Sequence, residues 1–448
     1  MQKFVVTGGV PLRGEVQIAG AKNAVLKMMA ATTLTEERCT LRNVPRISDV
    51  AILREVIGDI GFEVSRPEAD VLQITAADAR WLFVPLEAAA KMRASFIMLG
   101  PLLTRFGRVI IPNPGGDRIG RRPVDLHVAA MEALGASIDY KNGYYFAEAP
   151  PGGLRGARIA FPFNTVMGTE NALLAATLAR GTTVIDNAAQ EPEVDDLIVM
   201  LRGMGARVER TAPRRLEVEG VDRLAGVEHS ILGDRLEAGT FAIAAAVTRG
   251  EVVMRGVDPV HLGAFLDVLS RARVPFAPVA AADASSARSA GSSARDAGDA
   301  DPSARDGAGL RVASEAAYRA VDVETQPYPG FATDFQAPMA VLMTRAEGVS
   351  TIHETIYEDR LDYTRELCRM GARIEVLDER RARISGPTQL RGTDVTIADL
   401  RAGATLILAA LAAEGTSTIS GVEHVDRGYE QIESKLVALG ARIDRIEA

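Results

Sequence analysis

The segment Asp195–Glu209, DDLIVMLRGMGARVE, carries apolar residues at three- and four-residue spacing and closes on a glycine followed by a β-branched residue. That pattern predicts an amphipathic helix, a left-handed turn at Gly205 and a strand. The closing phrase recurs as IGFEV from Ile60, LGASI from Leu134, MGARV from Met204, MGARI from Met370 and LGARI from Leu439. Its glycines, Gly61, Gly135, Gly205, Gly371 and Gly440, stand about 70 residues apart except for one long gap between Gly205 and Gly371. A degenerate copy, RARV from Arg271, falls inside that gap. The remaining excess is Ala280–Gly309, a run made only of Ala, Ser, Asp, Arg, Gly and Pro, which lacks the apolar side chains needed to offset its ordering entropy and is expected to be a disordered surface insertion.

Each unit reads alike: an alanine-rich helix, a glycine turn into a short β-branched strand, a loop, a second helix, then the glycine and another strand. ALLAATLARGTTVIDN from Ala172, AIAAAVTRGEVVMRG from Ala242 and LILAALAAEGTSTISG from Leu406 are three copies of the first half. Alanine-rich helices suit close helix packing rather than chemistry. The expectation is an α/β fold of two similar domains, each of three repeated βα units with helices inside sheets, an inside-out α/β barrel with six repeats in all and a cleft between the domains.

Composition narrows the class. The chain has 448 residues, 47% of them hydrophobic and 25% charged, enough for two or three domains with substantial cores. No basic-then-apolar leader opens it and no apolar run reaches the roughly 18 residues of a membrane span, which predicts a cytoplasmic protein. A net charge of -8 argues against general nucleic-acid binding. Only Cys39 and Cys368 occur, so a disulfide framework or a cysteine metal site is not expected, and both read as packing residues, Cys39 in a strand and Cys368 in a helix.

One copy of the repeat departs from the rest. Its strand-to-helix loop is expected to span four or five residues in the first unit (Asn43 to Ser48) and the sixth (Gly421 to Asp426). In the second unit the stretch Pro112–Leu126, PNPGGDRIGRRPVDL, is longer and carries Asp117 among Arg118, Arg121 and Arg122. Its prolines and glycines break regular structure, and one carboxyl among permanent cations suits closure over an anionic substrate. A solvated charged loop is the alternative.

Other polar residues sit at matching breaks of the repeat. AGAKNA places Lys22 and Asn23 at the opening of the first unit, where a helix N-terminus offers free N–H groups to an anion. KMRAS places Arg93 at the second, GFATDFQAP places Asp334 at the fifth, and ADLRAG places Asp399 and Arg401 at the sixth. Arg360 in YEDR and Arg427 in VDRGYE lie in strand-to-helix loops. Each cation singly reads as a surface ion pair. Together they suit a substrate bearing phosphate and carboxylate groups.

The set AGAKNA, MRAS, PGGDRIGRRPVDLH, ATDFQA, ADLRAG and HVDRGYE resembles the enolpyruvyl transferase family, and does so from Phe4 to Ile446 outside the insertion. RRPVDLH, ADLRA and DRGYE point to the branch whose acceptor is UDP-N-acetylglucosamine. The resemblance implies domains of 1–21 plus 231–448 and of 22–230, the latter carrying the active-site loop 112–122. It implies transfer of the enolpyruvyl group of phosphoenolpyruvate to the 3-hydroxyl of UDP-N-acetylglucosamine, the committed step of peptidoglycan synthesis, with no metal or organic cofactor. By the same resemblance Lys22 and Asn23 hold phosphoenolpyruvate, with Arg122, Arg401 and Arg427 completing its anion cage. Arg93, the run Arg122, Pro123, Val124, Asp125 and Leu126, and Ile356 bind the nucleotide sugar, and Arg360 and Asp399 join the substrate-binding set. Asp334 orients and deprotonates the hydroxyl, and Asp117 donates a proton. Two positions depart from the family pattern. Many members have cysteine where Asp117 stands, and Asn164–Gly168, NTVMG, lacks the serine that usually precedes Val-Gly. A different acceptor, or a nucleotide-sugar-binding paralogue without turnover, therefore stays open.

Overall fold

The computed structural model describes residues 2–78, 82–116, 120, 122–280, 308–314 and 317–447. Its chain divides into two compact units, Gly20–Leu232 and Met1–Ala19 with Gly233–Ala448.

In Gly20–Leu232 one motif occurs three times: an inner helix, a strand, an outer helix and a two-stranded hairpin. The inner helices are Lys22–Ala31, Leu99–Phe106 with the 3-10 segment Arg93–Met98 before it, and Val166–Ala176. The outer ones are Ser48–Ile60, Asp125–Ala133 and Pro192–Gly203. The inner helices are largely apolar, so most of their residues are buried, and their small residues let backbones meet. Gly100 shows this: a side chain there would strike Asn171, whose Oδ1 instead accepts the Gly100 N–H at 2.6 Å. Three sheets cover the helices, and the last strand of the unit, Glu228–Ser230, pairs in parallel with the first, Cys39–Arg42, in register His229↔Leu41. Sequence distance within the unit is thereby closed into a ring.

The second unit repeats the scheme around Arg235–Val247, Gln336–Arg345 and Leu400–Ala412; every residue of the first of these is buried. Its outer helices are Gly263–Arg271, Tyr363–Arg369 and Ile432–Ala438. The N-terminal strand Gln2–Thr7 completes the sixth copy by pairing antiparallel with both Thr416–Ser420 and Arg442–Glu447. Six copies with helices inside sheets are what the alanine-rich segments predict.

Three expectations are corrected. The degenerate fourth copy places Arg273, not Arg271, at the glycine position: Arg273 has φ +62° where Gly205 has φ +94°, and Arg273 N–H bonds the Ser270 carbonyl as Gly205 N–H bonds that of Arg202. A non-glycine residue there costs about 1 kcal/mol, which the intact helix end and the buried Val274 behind it sustain. In the sixth copy Gly421–Asp426 is not a plain short loop; Val422–Arg427 forms a 3-10 turn and the α-helix starts only at Ile432. Cys39 is buried in a strand as expected, but Cys368 is exposed on its helix, so it is no packing residue.

Residues 281–307 of the insertion lie outside the described residues, but Phe276–Val279 and Gly309–Ala313 on either side of them pair antiparallel, with Val279 opposite Gly309. The insertion therefore joins two strands already in hairpin register. Replacing 281–307 by a short Gly-Ser turn is expected to leave the thermal midpoint and turnover unchanged. A shift of the midpoint by more than about 4 °C, the scale of 1 kcal/mol in a domain, would show that the insertion supports the fold.

Candidate active site

In Gly20–Leu232 the sequence-predicted residues gather around two helix openings. Lys22 begins its helix and is buried, with Nζ 2.9 Å from Oδ2 of Asp49 in the first turn of Ser48–Ile60. Asn23 follows, half-buried, on the same turn. Arg93 opens the 3-10 segment and donates from Nη2 to the Pro123 carbonyl at 3.1 Å. Gly115 N–H bonds the Ala89 carbonyl at 2.8 Å. Gly116, at φ +106°, lies so near Arg93 that a side chain there would crowd it, and it stands in ordinary contact range of the Arg122 guanidinium. Glycine at 115 and 116 thus lets the loop lie against Arg93 and bring Arg122 beside it. Val124 is buried at the cap of Asp125–Ala133, while Pro123 and Asp125 are exposed and Leu126 packs partly on the core. Asp117, Arg118 and Arg121 lie outside the described residues.

His127, one residue beyond this run, is a feature that the sequence reading missed. It is buried, its Nδ1 pairs with Asn171 Nδ2 at 3.0 Å, and its ring stands edge-on to Phe96. Burial, with Arg93 adding to it, pushes its pKa down to about 3, so the ring is neutral, accepts at Nδ1 and carries its proton on Nε2.

A second buried set lies behind Lys22. Lys27 Nζ donates to the Asn23 carbonyl at 2.5 Å and stands 3.5 Å from Glu170 Oε2. Glu170 is fully buried and neither oxygen makes a hydrogen bond in good geometry. Burial pushes its carboxyl up to about 8; Lys27 opposes the rise, and Glu193 and Glu191 add to it. A folded-state pKa raised above the unfolded 4.5 means that the stability tied to the proton is fully present below that value and is lost as pH rises through 8. Wild-type stability is accordingly expected to fall between pH 5 and pH 8 by a few kcal/mol relative to Glu170→Gln, at about 1.4 kcal/mol per pKa unit. Denaturant midpoints across that window check this, and parallel pH profiles for the two proteins would refute it.

In the other unit, three residues from two copies meet: Asp334 and Arg360 from the fifth, Arg401 from the sixth. Asp334, in the turn Thr333–Phe335, accepts at Oδ1 from Arg401 Nε at 2.8 Å and from Arg360 Nη2 at 3.3 Å. Arg401 and Arg360 are 6% and 8% exposed, which rules out the surface ion pair that each suggested singly. Burial works against ionisation of Asp334, yet Arg401 and Arg360, with Arg235 adding to them, hold its carboxyl well below the usual carboxylate range. Asp399 caps Leu400–Ala412 through Oδ1, accepting from the N–H groups of Arg401 and Ala402 at 2.9 and 3.0 Å. Arg401 Nη1 also donates to the Tyr429 hydroxyl at 2.8 Å, which shares a 2.9 Å hydrogen bond with Thr240. Tyr429 lies inside the DRGYE motif but was not singled out from sequence. Arg427 ends the 3-10 turn Val422–Arg427, held from behind by Arg445, whose Nη1 and Nη2 reach both oxygens of Asp426 at 2.9 and 2.7 Å. Ile356 sits half-buried in the loop that leads to Arg360.

Chemically, each unit thus presents cations at helix openings, and one also presents a carboxylate clamped by guanidinium groups. The sequence model of EPSP synthase (3-phosphoshikimate 1-carboxyvinyltransferase) matches residues 6–436. The chain belongs to this family of enolpyruvyl transferases. Within the family it is 46% identical over 448 residues to UDP-N-acetylglucosamine 1-carboxyvinyltransferase of Cereibacter sphaeroides, covering all of both chains. It is 46% identical over 458 residues to the enzyme of that name in Nitrobacter winogradskyi, again over all of both. In fold it matches the enolpyruvyl transferase NikO from Streptomyces tendae, with a TM-score of 0.82 at 23% identity over 100% of this chain and 99% of that one. EPSP synthase from Acinetobacter baumannii follows, with a TM-score of 0.74 at 17% identity over all of both chains. These structural likenesses establish the two-domain inside-out α/β fold of the enolpyruvyl transferases. Among the described residues no cluster of His, Cys, Asp and Glu is arranged to hold a metal ion, and no helix is long and apolar enough to cross a membrane.

Proposed function

We propose that the chain transfers the enolpyruvyl group of phosphoenolpyruvate to the 3-hydroxyl of UDP-N-acetylglucosamine and releases phosphate, the first committed step of peptidoglycan synthesis. The observation that carries this reading is identity of 46% running the full length of both chains to relatives of that activity. The two units are taken as the enolpyruvyl transferase domains, 1–21 plus 231–448 and 22–230, and these substrates place the protein in the cytoplasm.

The reaction needs a bond from the acceptor oxygen to C2, a proton delivered to C3, then loss of phosphate and of a proton from C3. On this reading Lys22, Asn23, Arg122, Arg401 and Arg427 bind the phosphoenolpyruvate anion and stabilise charge as phosphate departs. Arg93, Arg122, Pro123, Val124, Asp125, Leu126 and Ile356 serve acceptor binding, and Arg360 and Asp399 complete the substrate-binding set, Asp399 through the cap at the N–H of Arg401. Asp117 is the proton donor to C3. Asp334 receives the hydroxyl proton. Clamped by Arg401 and Arg360 it is a weak base, so its strength depends on what engages Arg401. A phosphoenolpyruvate anion that draws Arg401 away raises the carboxyl's pKa when the hydroxyl must be deprotonated.

Phosphate release measured with phosphoenolpyruvate and a panel of acceptors tests the assignment. UDP-N-acetylglucosamine is expected to be the one that supports turnover, and turnover with shikimate 3-phosphate instead would overturn it.

A further inference from the structure

The loop that carries Ile356 and Arg360 is tied to the turn that carries Asp334 by a residue outside every motif singled out in the sequence. Glu354 is buried with no exposure at all. Its Oε1 accepts from the Ile356 N–H at 2.7 Å, the Tyr357 N–H at 3.1 Å and the Thr325 hydroxyl at 3.0 Å. Its Oε2 accepts from the Thr333 hydroxyl at 2.7 Å. Four donors on two oxygens match what an acceptor-only carboxylate can satisfy, and all four are uncharged. The Thr325 hydroxyl, having given its proton to Glu354, accepts the Thr355 N–H at 2.8 Å, so three segments of backbone are joined at one side chain.

The neighbours of these contacts are the functional ones. Thr333 directly precedes Asp334, Ile356 opens the stretch that ends at Arg360, and Arg360 returns to Asp334 at 3.3 Å. A closed circuit results: Glu354 to Thr333, Asp334, Arg360 and back along the loop to Ile356. We infer that Glu354 is a positioning residue that sets the distance between the hydroxyl-activating carboxylate, Asp334, and the acceptor contact at Ile356. This inference rests on the proposed roles of those two residues. Displacing a reacting group by about 1 Å can cost on the order of 10²-fold in rate; Glu354 bridges the Thr333 hydroxyl to the Ile356 N–H at one end of the loop, while Arg360 to Asp334 and Gln336 Nε2 to the Arg360 carbonyl at 2.9 Å hold the other end.

The test compares Glu354→Gln, Thr333→Val and Thr333→Ser in the full chain. Glu354→Gln places an NH₂ group where only acceptors fit. It is expected to lower kcat by about 10- to 100-fold and to raise KM for UDP-N-acetylglucosamine several-fold while KM for phosphoenolpyruvate stays within about twofold, because the anion-binding arginines are untouched. Thr333→Val removes a single hydrogen bond with little change of shape and is expected to lower kcat in the same direction, and Thr333→Ser, which keeps the hydroxyl, restores it. In parallel, the Ile356 and Tyr357 amides are expected to exchange hydrogen at least tenfold faster in Glu354→Gln than in the wild type, a readout that needs no turnover. Unchanged exchange at those amides, or equal kcat for Thr333→Val and Thr333→Ser, would overturn the positioning role. Accelerated exchange in Glu354→Gln, together with a wild-type protein that does not turn over UDP-N-acetylglucosamine, would instead overturn the proposed function and leave the circuit standing.

Discussion

Asp334→Asn is expected to lower turnover by roughly 10²- to 10⁴-fold, the usual cost of losing a positioned acid–base group, with the fold intact. Asparagine keeps an oxygen for the Arg401 Nε–H, now 2.8 Å from Oδ1, but it cannot take the hydroxyl proton. Asp334→Ala goes further, because it leaves the buried Arg401 and Arg360 guanidinium groups without their shared carboxylate. Breaking such a pair costs about 3 kcal/mol. Comparing the two variants therefore separates chemistry from stability: both lose turnover, and only alanine loses several degrees of thermal midpoint. The pH sign runs opposite to that of Glu170. A depressed folded-state pKa gives stability that is present above the unfolded carboxyl pKa of about 3.9 and is lost only as pH falls through the lower folded value. Between pH 5 and 8 the Asp334 contribution should be flat. Near-wild-type turnover in Asp334→Asn would remove Asp334 from the mechanism and leave it a structural clamp for two arginines.

Asp117 carries the other large effect. The family's epoxide inhibitor, fosfomycin, alkylates the cysteine that many members have at this loop position, since a thiolate is a strong nucleophile toward an epoxide. A carboxylate is a much weaker one. The wild-type chain is expected to turn over normally with fosfomycin present, whereas Asp117→Cys should lose activity with time and gain the mass of one inhibitor molecule on the peptide containing position 117. Asp117→Asn keeps the shape but cannot gain and lose a proton, and its turnover should drop by roughly 10²- to 10⁴-fold. Full activity in that variant would return Asp117 to a solvated loop charge.

Much of the architecture is legible because it is local and repeated. Alanine-rich inner helices, the glycines after the outer helices and the β-branched strands between them are written about every 70 residues. What the local pattern cannot show is pairing at long range. Gln2–Thr7 completes a sheet with strands more than 400 residues later, and no periodicity in the first seven residues announces that. Arg273 hid the fourth copy because helix-end geometry, not the glycine letter, is what repeats. The site divides in the same way. Motif residues such as Lys22, Arg93, Asp334 and Arg401 stand out as polar groups at helix openings. Their partners do not: Asp49, Glu354 and Tyr429 are ordinary letters whose meaning comes from burial and from the groups that fold brings to them. The Asp334–Arg401 contact spans 67 residues of sequence, so sequence can nominate both ends but not the bond.

What defines the proposed reaction is one bond: the acceptor's 3-oxygen joined to C2 of the enolpyruvyl group by this chain. Its most direct measurement is the product formed when the purified protein is incubated with phosphoenolpyruvate and UDP-N-acetylglucosamine, isolated and read by mass spectrometry and by carbon–proton correlation across the new ether. One phosphate released per acceptor consumed and a vinyl ether attached at the 3-position of the sugar are expected. Recovery of unchanged acceptor, or an enolpyruvyl group on any other oxygen, would contradict it.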